Sequence, residues 1–300
     1  MKLSVFLFGI FLVAPHLGAR DGFSFREVNG SGLELSENGK PVFVYNYGMI
    51  LKDGFPEAMR RSTYLHPVYL PDGALITDDF NKDHPHHRGI SWMWPVVTVD
   101  GKTYDLWTVG GIKQSFLRWT AKNAGKGKAK LAVANGWLIG DRKVVDEKVE
   151  ILIHAATQNT RVLEFTLTLE ASGGPVEIAG TPDGNKGFGG FCFRFAPREG
   201  GKQGTVIRTD QGVAGQDGVM EVHPWAQVEG KFEGCAGGGR IEDLSSNPGY
   251  PNGWLMRHGF GFLNVSYPGL KTAKLVRGQP LTLRYKVILF SGAQPANGTP

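Results

Sequence analysis

The sequence predicts an all-β protein, built as an antiparallel β-sandwich. Forty-three glycines and seventeen prolines divide the 300 residues into short segments, and many of these segments alternate apolar and polar side chains. Beyond the first nineteen residues, no window has the 3.6-residue period of an amphipathic helix. Short alternating strands separated by tight turns are typical of antiparallel sheets that pack face to face or close into a barrel.

The clearest strands lie at 149–155 and 162–169, with a turn at 158–160. In the second strand, every other residue is apolar and the residues between them are polar. This period of two predicts a strand with one face in the core. The apolar residues are Leu163, Phe165, Leu167 and Leu169.

Two Asx-Gly pairs predict further hairpins, because this dipeptide favours the tight turns that join antiparallel strands. Asp100-Gly101 lies between strands predicted at 96–99 and 103–107, and Asn135-Gly136 lies between 130–133 and 137–139. The glycine-rich stretch 200–239 is predicted to consist mainly of loops, with short strands at 205–209 and 219–222.

The first nineteen residues have the pattern of a secretory signal peptide. A lysine precedes an apolar run, and Leu17-Gly18-Ala19 resembles a small-residue cleavage site. The run is shorter than the about 20 residues of a membrane span, and no later stretch is apolar enough to cross a bilayer. We therefore expect a single β-sandwich domain over 20–300, in the periplasm or secreted.

Charge and cysteine content narrow the possible partners and compartments. The net charge is +5, the basic residues are scattered, and no nucleic-acid-binding motif is present, so we expect no nucleic-acid partner. The only basic cluster, Lys122, Lys126, Lys128 and Lys130, is expected to be solvated. Cys192 and Cys235 either form a disulfide, which an oxidising compartment permits, or remain free thiols.

One segment, residues 63–94, carries an unusual set of polar groups. It contains four of the eight histidines, His66, His84, His86 and His87, followed directly by Arg88. Imidazoles transfer protons near neutral pH and bind metals, and a guanidinium binds anionic oxygens. In an extended segment, residues 84 and 86 share one side and residue 87 points to the other.

We predict catalytic roles for part of this segment and binding roles for the rest. His86 or His87 would transfer a proton, and Arg88 would stabilise a developing negative charge or a substrate carboxylate. His66 and His84 would position the substrate. An alternative is a divalent metal ion held by His66, His84 and His86 with Asp79 or Asp83, although no HExxH motif is present.

Other polar residues are candidates for the same site. Glu177 or Asp183 would supply a catalytic carboxylate opposite a histidine, and the alternative for Asp183 is a solvated turn. Five further residues are predicted to bind substrate. For the tryptophan among them the alternative is packing in the core, and for the residues near the C-terminal end of the chain it is capping of turns. They are Trp92, Lys186, Asn247, Tyr250 and His258.

Four stretches of this chain resemble a bacterial family commonly labelled "methane oxygenase PmoA". The most specific is Asp83-His-Pro-His-His-Arg-Gly89, and the others are His66-Pro-Val-Tyr69, Asn247-Pro-Gly-Tyr-Pro251 and Leu281-Thr-Leu-Arg-Tyr285. Subunits of membrane methane monooxygenase have several membrane spans, which this chain lacks, so the label does not indicate its function. The resemblance implies a β-sandwich related to galactose mutarotase-like domains, a superfamily that contains many sugar-processing proteins.

Together, these observations predict an exported enzyme that acts on carbohydrate. It would cleave a glycosidic bond, by hydrolysis or elimination, or isomerise a sugar, using histidine and arginine as acid–base groups. Retaining hydrolysis would require two carboxyl groups about 5–5.5 Å apart. The alternatives are a metal-dependent enzyme that uses the histidines as ligands and a glycan-binding protein without catalytic activity.

Overall fold

A computed structural model describes residues 21–292, so the predicted signal peptide lies outside the described residues. The described chain forms 22 β-strands and two short 3-10 helices, Glu57–Met59 and Asp183–Asn185. In chain order, the strands are β1 Phe23–Val28, β2 Gly32–Glu37, β3 Lys40–Asn46, β4 Tyr64–Val68, β5 Ile90–Met93, β6 Val96–Val99, β7 Lys102–Tyr104, β8 Lys113–Ala124, β9 Lys128–Ile139, β10 Arg142–His154, β11 Thr160–Ala171, β12 Val176–Ala179, β13 Gly190–Arg194, β14 Val206–Thr209, β15 Gly212–Val213, β16 Gly218–Val222, β17 Trp225–Phe232, β18 Cys235–Asp243, β19 Gly253–Arg257, β20 Phe262–Ser266, β21 Thr272–Leu275 and β22 Leu281–Ser291.

These strands form three sheets with antiparallel pairing. The front sheet has the order β1-β2-β3-β4-β5-β13-β20-β19-β16, and the back sheet has the order β15-β14-β17-β18-β22-β11-β10-β9-β8. A small sheet contains β21-β12-β6-β7. The inner faces of the two large sheets meet in one core, where the ring of Phe191 lies 4.5 Å from that of Tyr285. The predicted antiparallel β-sandwich is confirmed.

The strongest predicted strand pair is also confirmed. Strands β10 and β11 pair around a turn at Gln158, with Val149 opposite Leu167 and Ile151 opposite Phe165. The alternating apolar residues of β11 are at most 1% exposed, and the polar residues between them face outward. Burial of this apolar face fixes the register, because a shift by one residue would place the polar face in the core.

The hairpin predicted at Asn135-Gly136 is wrong, because both residues lie inside strand β9. The buried Asn135 side chain donates a 2.8 Å hydrogen bond to Glu147 Oε1, and Gly136 pairs with Asp146 and Ser115 on the two neighbouring strands. The chain turns at Gly140, whose φ is +57°. Asn135 therefore forms a buried hydrogen bond between strands and does not form part of a turn.

The stretch 200–239 also contains more strand than predicted, because β17 and most of β18 lie there. The glycines of β18 allow the back sheet to approach aromatic side chains. A Cβ added to Gly238 would collide with the Val228 carbonyl oxygen and the Phe290 ring. These glycines therefore belong to a closely packed strand, although the glycine-rich composition predicted a loop.

The other compositional predictions concern the cysteines and lysines. Cys192 lies in β13 of the front sheet and Cys235 in β18 of the back sheet, and both are free thiols. Three members of the lysine cluster are on the surface in ion pairs, with Lys130 2.9 Å from Glu150. Within residues 21–292, no helix combines the length and the apolar character needed to span a bilayer.

Candidate functional site

The candidate site lies on the outer face of the front sheet, opposite the core. In β13, the side chains of Phe191 and Phe193 point into the core, so alternation places Cys192 and Arg194 on the other face. Arg194 pairs with Phe262 of β20 in the strand register. All five side chains are buried, because the long connections between strands cover this outer face.

Alternation also places Trp92 on the inner face, although we predicted that it binds substrate. Its ring lies 6.5 Å from that of Phe165 and 6.4 Å from that of Phe191, and its exposed fraction is 0%. Because the indole has no surface in contact with solvent, it cannot stack on a ligand. Trp92 is therefore a core residue.

The histidine-rich segment is held against the front sheet by backbone hydrogen bonds. Gly89 N–H donates to Asp78 O over 2.9 Å, and Arg194 N–H donates to Gly89 O over 2.8 Å. Gly89 has a φ of +32°, and a Cβ there would collide with the Leu65 carbonyl oxygen of β4. Glycine is required at this position, since only hydrogen fits between the two strands.

Three of the predicted histidines lie together, but the predicted extended arrangement with His87 on the opposite side is wrong, because His87 N–H donates to His84 O and the segment turns. The ring centroids of His84 and His87 are 4.9 Å apart, those of His86 and His87 are 4.6 Å apart, and those of His84 and His86 are 5.7 Å apart. Their exposure differs: the His84 side chain is 37% exposed, His86 is half-buried, and His87 is only 4% exposed.

His87 is the interior member of this group. Its ring stacks on Phe262 at 4.2 Å, nearly parallel, and contacts the edge of Trp107. Burial holds the pKa of His87 well below its usual value, with further lowering by His86 and Arg194. A neutral, buried ring lacks the access to substrate that proton transfer requires, so the predicted catalytic role is replaced by one in which His87 supports His84.

His86 is more open and is surrounded by positive charges. Burial lowers the pKa of His86 to about 4, and Arg61, His84, Arg88 and Arg194 lower it in the same direction. The imidazole is therefore neutral at pH 7. A neutral ring accepts or donates a hydrogen bond without first losing a proton.

Asp83 connects His84 with Arg194. Its Oδ2 lies 3.1 Å from His84 Nδ1, and its Oδ1 accepts a 3.1 Å hydrogen bond from Arg194 Nη2. Burial on its own would raise the pKa of Asp83, but the contacts with His84 and Arg194 lower it below its usual value. The ionised carboxylate lies beside His84 Nδ1, which makes no hydrogen bond among the described residues.

Arg88 is not available to a substrate, contrary to our prediction. Its exposed fraction is 1%. Nη1 donates to Pro85 O and Nη2 donates to Met59 O over 2.7 Å, and Nε lies 3.2 Å from Asp79 Oδ1 in an ion pair without hydrogen-bond geometry. The guanidinium also lies 3.3 Å from the centroid of the Phe80 ring. We call these residues the Arg88 cluster, and they fix the connection between β4 and β5.

A cavity of about 200 Å³ opens beside Asp83 and Phe260. We call it the Arg194 cavity, after the side chain with donors unused by the protein. Arg194 Nη2 donates to Asp83, and Nε lies 3.5 Å from Asp78 Oδ2, but neither Nε nor Nη1 has a hydrogen-bond partner among the described residues. Its other lining side chains include Asn81 and Arg198.

His66 lies apart from the three clustered imidazoles. It belongs to β4, and its Nδ1 is 3.0 Å from Thr77 Oγ1. Burial lowers the pKa of His66 to about 3, and Lys52 and Arg88 lower it further. Within residues 21–292, His66 does not line the Arg194 cavity. Its predicted role in substrate binding therefore stays a prediction.

The metal alternative required three ligands around one ion. Among residues 21–292, no group of three or more His, Cys, Asp or Glu side chains has a geometry that could hold an ion. The clustered imidazoles stack on one another or meet edge to face. Their nitrogens therefore do not converge as ligands do.

The predicted carboxylate partners lie elsewhere in the small sheet and its connections. Glu177 is in β12, 3.4 Å from Lys274 Nζ, and Asp183 forms a 2.7 Å ion pair with Lys186. In the described chain, no hydrogen bond or ion pair joins Glu177, Asp183 or Lys186 to the clustered histidines. Their catalytic and binding roles stay predictions.

The late polar residues are also separate from the cavity. Asn247 is buried, and its side chain donates to Asp243 Oδ1 over 2.7 Å and accepts from Arg284 N–H, so it caps a turn. His258 is buried 3.0 Å from Asp217. Tyr250 is 39% exposed and stays a predicted binding residue, whereas the partners of Asn247 and His258 are within the protein.

Sequence reasoning missed the residue that defines the cavity, Arg194, and the ring of Phe260 next to the histidines. Phe260 lies 4.5 Å from the His84 ring and 4.7 Å from the Arg194 guanidinium, and Trp107 is in contact with His87. A signal for Arg194 was present, since it follows the strand pattern Phe191-Cys192-Phe193 at an outward position. An arginine in phase with a buried cysteine indicates a polar outer face.

Comparison with known proteins identifies a family but not an activity. No curated protein matches the sequence. Among solved structures, a galactose mutarotase related enzyme from Lactobacillus acidophilus is similar over 92% of this chain and 99% of its own, at 9% identity with a TM-score of 0.43. A heparinase III is similar over 87% of this chain, at 12% identity with a TM-score of 0.31, and the chain spans 30% of its length.

A sequence-family model matches residues 32–299. Its description gives neither a function nor the PmoA label, so that resemblance stays a prediction. The match includes the whole histidine-rich segment, the Arg194 cavity and the last strand. Because it extends over most of the chain, the protein belongs to the family described as "Family of unknown function (DUF6807)".

Proposed function

We propose that this protein is an exported carbohydrate-active enzyme that transfers protons at His84 and His86. The observation that carries the proposal is the Asp83–His84 pair, 3.1 Å apart, next to the imidazole of His86, with Asp83 also in the wall of a polar cavity. A carboxylate beside an imidazole, next to another ring that can accept or donate a proton, is a common arrangement for acid–base catalysis.

The two imidazoles differ in their surroundings, which supports different roles. His84 is packed between His87 and Phe260, which fixes the direction of its ring, and Asp83 lies 3.1 Å from its Nδ1. His86 has a pKa lowered to about 4 and is therefore unprotonated at pH 7. In the proposed reaction, one imidazole removes a proton from a sugar hydroxyl or carbon while the other donates one.

The surrounding carboxylates favour this chemistry over retaining hydrolysis. Retaining hydrolysis needs a carboxylate that is free to attack the anomeric carbon. Asp78 and Asp83 both contact the guanidinium of Arg194, and Asp83 also contacts His84. With the carboxylates engaged and the imidazoles accessible, isomerisation or elimination is the better fit.

The proposal is tested by activity of the purified protein on a panel of sugars and glycans, with NMR to detect isomerisation and a reducing-sugar assay to detect cleavage. Because a positioned acid or base contributes about 10²–10⁴-fold to a rate, we expect His84→Ala to reduce turnover by that factor. His154→Ala is the matched control, since His154 forms a similar 2.9 Å pair with Glu164 on the back sheet.

Three results would count against the proposal. Equal turnover in His84→Ala and the wild-type protein would remove His84 from the reaction. An equal loss in His154→Ala would show that the effect is general destabilisation. Activity that disappears with a chelator and returns with an added ion would support the metal-dependent alternative. The N-terminal sequence of the protein from a periplasmic fraction tests export, with a start near residue 20 expected.

A further inference from the structure

We propose that the Arg194 cavity binds one uncharged sugar ring and discriminates against sugar acids. This inference rests on the proposed function, because it names the class of ligand that His84 and His86 would act on. It uses a different set of observations: the cavity volume, the balance of charges in its wall, and an unused donor on a buried arginine.

The unused donor indicates that a ligand oxygen is expected. Arg194 is 2% exposed, and its Nη1 has no acceptor among the described residues. A buried donor without a partner is costly, and the penalty is larger for a charged group. Arg198, on the same wall, differs: its three nitrogens donate to Thr205, Ala196, His258 and Gly259. Of the two guanidinium groups in this wall, Arg194 is therefore the one with a terminal nitrogen left for a ligand acceptor.

The charges in the wall favour an acceptor without a full negative charge. Two guanidinium groups, of Arg194 and Arg198, face two carboxylates, of Asp78 and Asp83. The formal charges cancel, and both carboxylates already contact Arg194. An additional carboxylate, sulfate or phosphate would be placed close to Asp78 and Asp83, where like charges repel. A hydroxyl or ring oxygen meets the same donor without this repulsion.

The remaining groups match the surface of a sugar ring. Asp78 and Asp83 accept hydrogen bonds from hydroxyl groups, Arg194 donates one, and Phe260 provides an aromatic ring. The volume of about 200 Å³ is below the about 300–1,000 Å³ of sites for drug-sized ligands, so it fits one ring and not an oligosaccharide. Asp83 belongs to both the cavity and the His84 pair, which places a bound ring beside the proposed acid–base groups.

This ligand class also separates the two reactions left open above. Elimination requires an acidic proton next to an electron-withdrawing group, which a uronic acid supplies through its carboxylate. An uncharged ring lacks that carboxylate, so a cavity that prefers it favours isomerisation through hydroxyl protons. The previously expected contact between an arginine and a substrate carboxylate is then not needed.

Binding to the purified protein tests the inference without any turnover. The probes are D-glucose, D-galactose and D-mannose against D-glucuronate and D-galacturonate, titrated at pH 7 by NMR or calorimetry. We expect at least one uncharged sugar to bind at least about tenfold more tightly than either acid, since repulsion between like charges at close range amounts to about one pKa unit or more, which is about tenfold. Arg194→Met should lose the uncharged sugar by a similar factor.

Asp78→Asn supplies a second variant in case Arg194→Met does not fold. It keeps the size of the side chain but leaves the cavity with a net positive charge, so the preference should move toward the sugar acids by at least about tenfold. A role of Asp78 in folding alone would change stability but not the ratio of the two affinities. Lys82→Ala, an exposed change outside the cavity, is the control and should leave the ratio unchanged.

The inference is overturned if sugar acids bind the wild-type protein as tightly as the uncharged sugars, or if Asp78→Asn leaves the ratio unaltered. Its failure is distinct from failure of the proposed function. If only the inference fails, the protein binds sugar acids as well as uncharged sugars, while His84→Ala still abolishes turnover. If the proposed function fails, the uncharged sugar binds as expected, but His84→Ala has no effect on any reaction.

Discussion

Arg88 and Arg194 are both buried arginines on the outer side of the front sheet, yet they do different things. Arg88 is 1% exposed and Arg194 is 2% exposed. Both terminal nitrogens of Arg88 donate to backbone carbonyl oxygens, and Nε forms an ion pair with the Asp79 carboxylate. In Arg194, Nη2 donates to Asp83, whereas Nη1 and Nε have no hydrogen-bond partner among the described residues, and the side chain lines a cavity.

The difference shows that burial and charge do not distinguish a structural arginine from a binding one. What distinguishes them is whether the protein engages both terminal nitrogens. A guanidinium whose two terminal nitrogens both donate within the protein has neither left for a ligand, and its removal leaves buried partners unpaired. A guanidinium with an unused donor gains a hydrogen bond when an acceptor arrives.

The largest expected effect is on the Arg88 cluster. Arg88→Met removes the cation and leaves the Asp79 carboxylate buried without its partner, which typically costs about 3–5 kcal/mol. We expect the free energy of unfolding, measured by urea denaturation at pH 7, to fall by that amount. Affinity for a sugar, measured on the folded fraction, should change little, because Arg88 does not line the Arg194 cavity.

The double variant Arg88→Met/Asp79→Asn is the control for this prediction. By replacing the unpaired carboxylate with an uncharged amide, it should recover part of the lost stability, since replacing both members of a buried pair costs less than breaking it. If Arg88→Met were as stable as the wild-type protein but lost sugar binding, the roles assigned to the two arginines would be reversed.

Much of the fold could be predicted because it depends on local patterns. The period of two in β11 and the turn at Gln158 each reflect a single strand or a single turn. The failures are where a residue serves a distant partner. Asn135-Gly136 has the composition of a turn, but Glu147 on the next strand and Tyr45 on the front sheet both engage the asparagine side chain.

The site was predicted in part for the same reason. The histidines of residues 84–87 are close in sequence, so their proximity in space was accessible. Arg194 is more than one hundred residues away and reaches Asp83 only through the pairing of β5 with β13. The saturation of Arg88 also depends on a remote group, the Met59 carbonyl oxygen, which no local pattern indicates.

The second prediction concerns acid stability, because neutral histidines adjoin both arginines. His66 is beside Arg88 and has a pKa lowered to about 3, and His86 is near both arginines with a pKa lowered to about 4. Both groups bind protons more readily in the unfolded chain. The free energy of unfolding should therefore fall as the pH decreases from about 6.5 to about 4, by at most about 1.4 kcal/mol per pH unit for each histidine.

Urea denaturation at several pH values measures this slope in the wild-type protein and in His66→Asn and His86→Asn. Each variant should lose part of the pH dependence below about 6.5 and keep the plateau above it. Comparison with the parent separates each histidine from Asp79, whose pKa is raised by burial and which acts in the opposite direction. A slope that is identical in all three proteins would contradict the neutral state of these imidazoles.

The smallest effect is expected for residues that satisfy each other outside both arginine regions. Asp183 and Lys186 form an exposed ion pair, with side chains 75% and 40% exposed, and such pairs contribute less than about 1 kcal/mol. Asp183→Ala should therefore change the free energy of unfolding by less than that, and its effect on turnover of an identified sugar tests the catalytic role predicted for Asp183. Glu177→Gln, measured in parallel, should behave in the same way, since Glu177 faces Lys274.

A loss of turnover of tenfold or more in Asp183→Ala alone, with stability intact, would make Asp183 a catalytic carboxylate. That result would require the 181–188 connection to bring Asp183 toward His86 when a sugar binds. Phe188 of the same connection packs on Trp107, which lies beside the histidines.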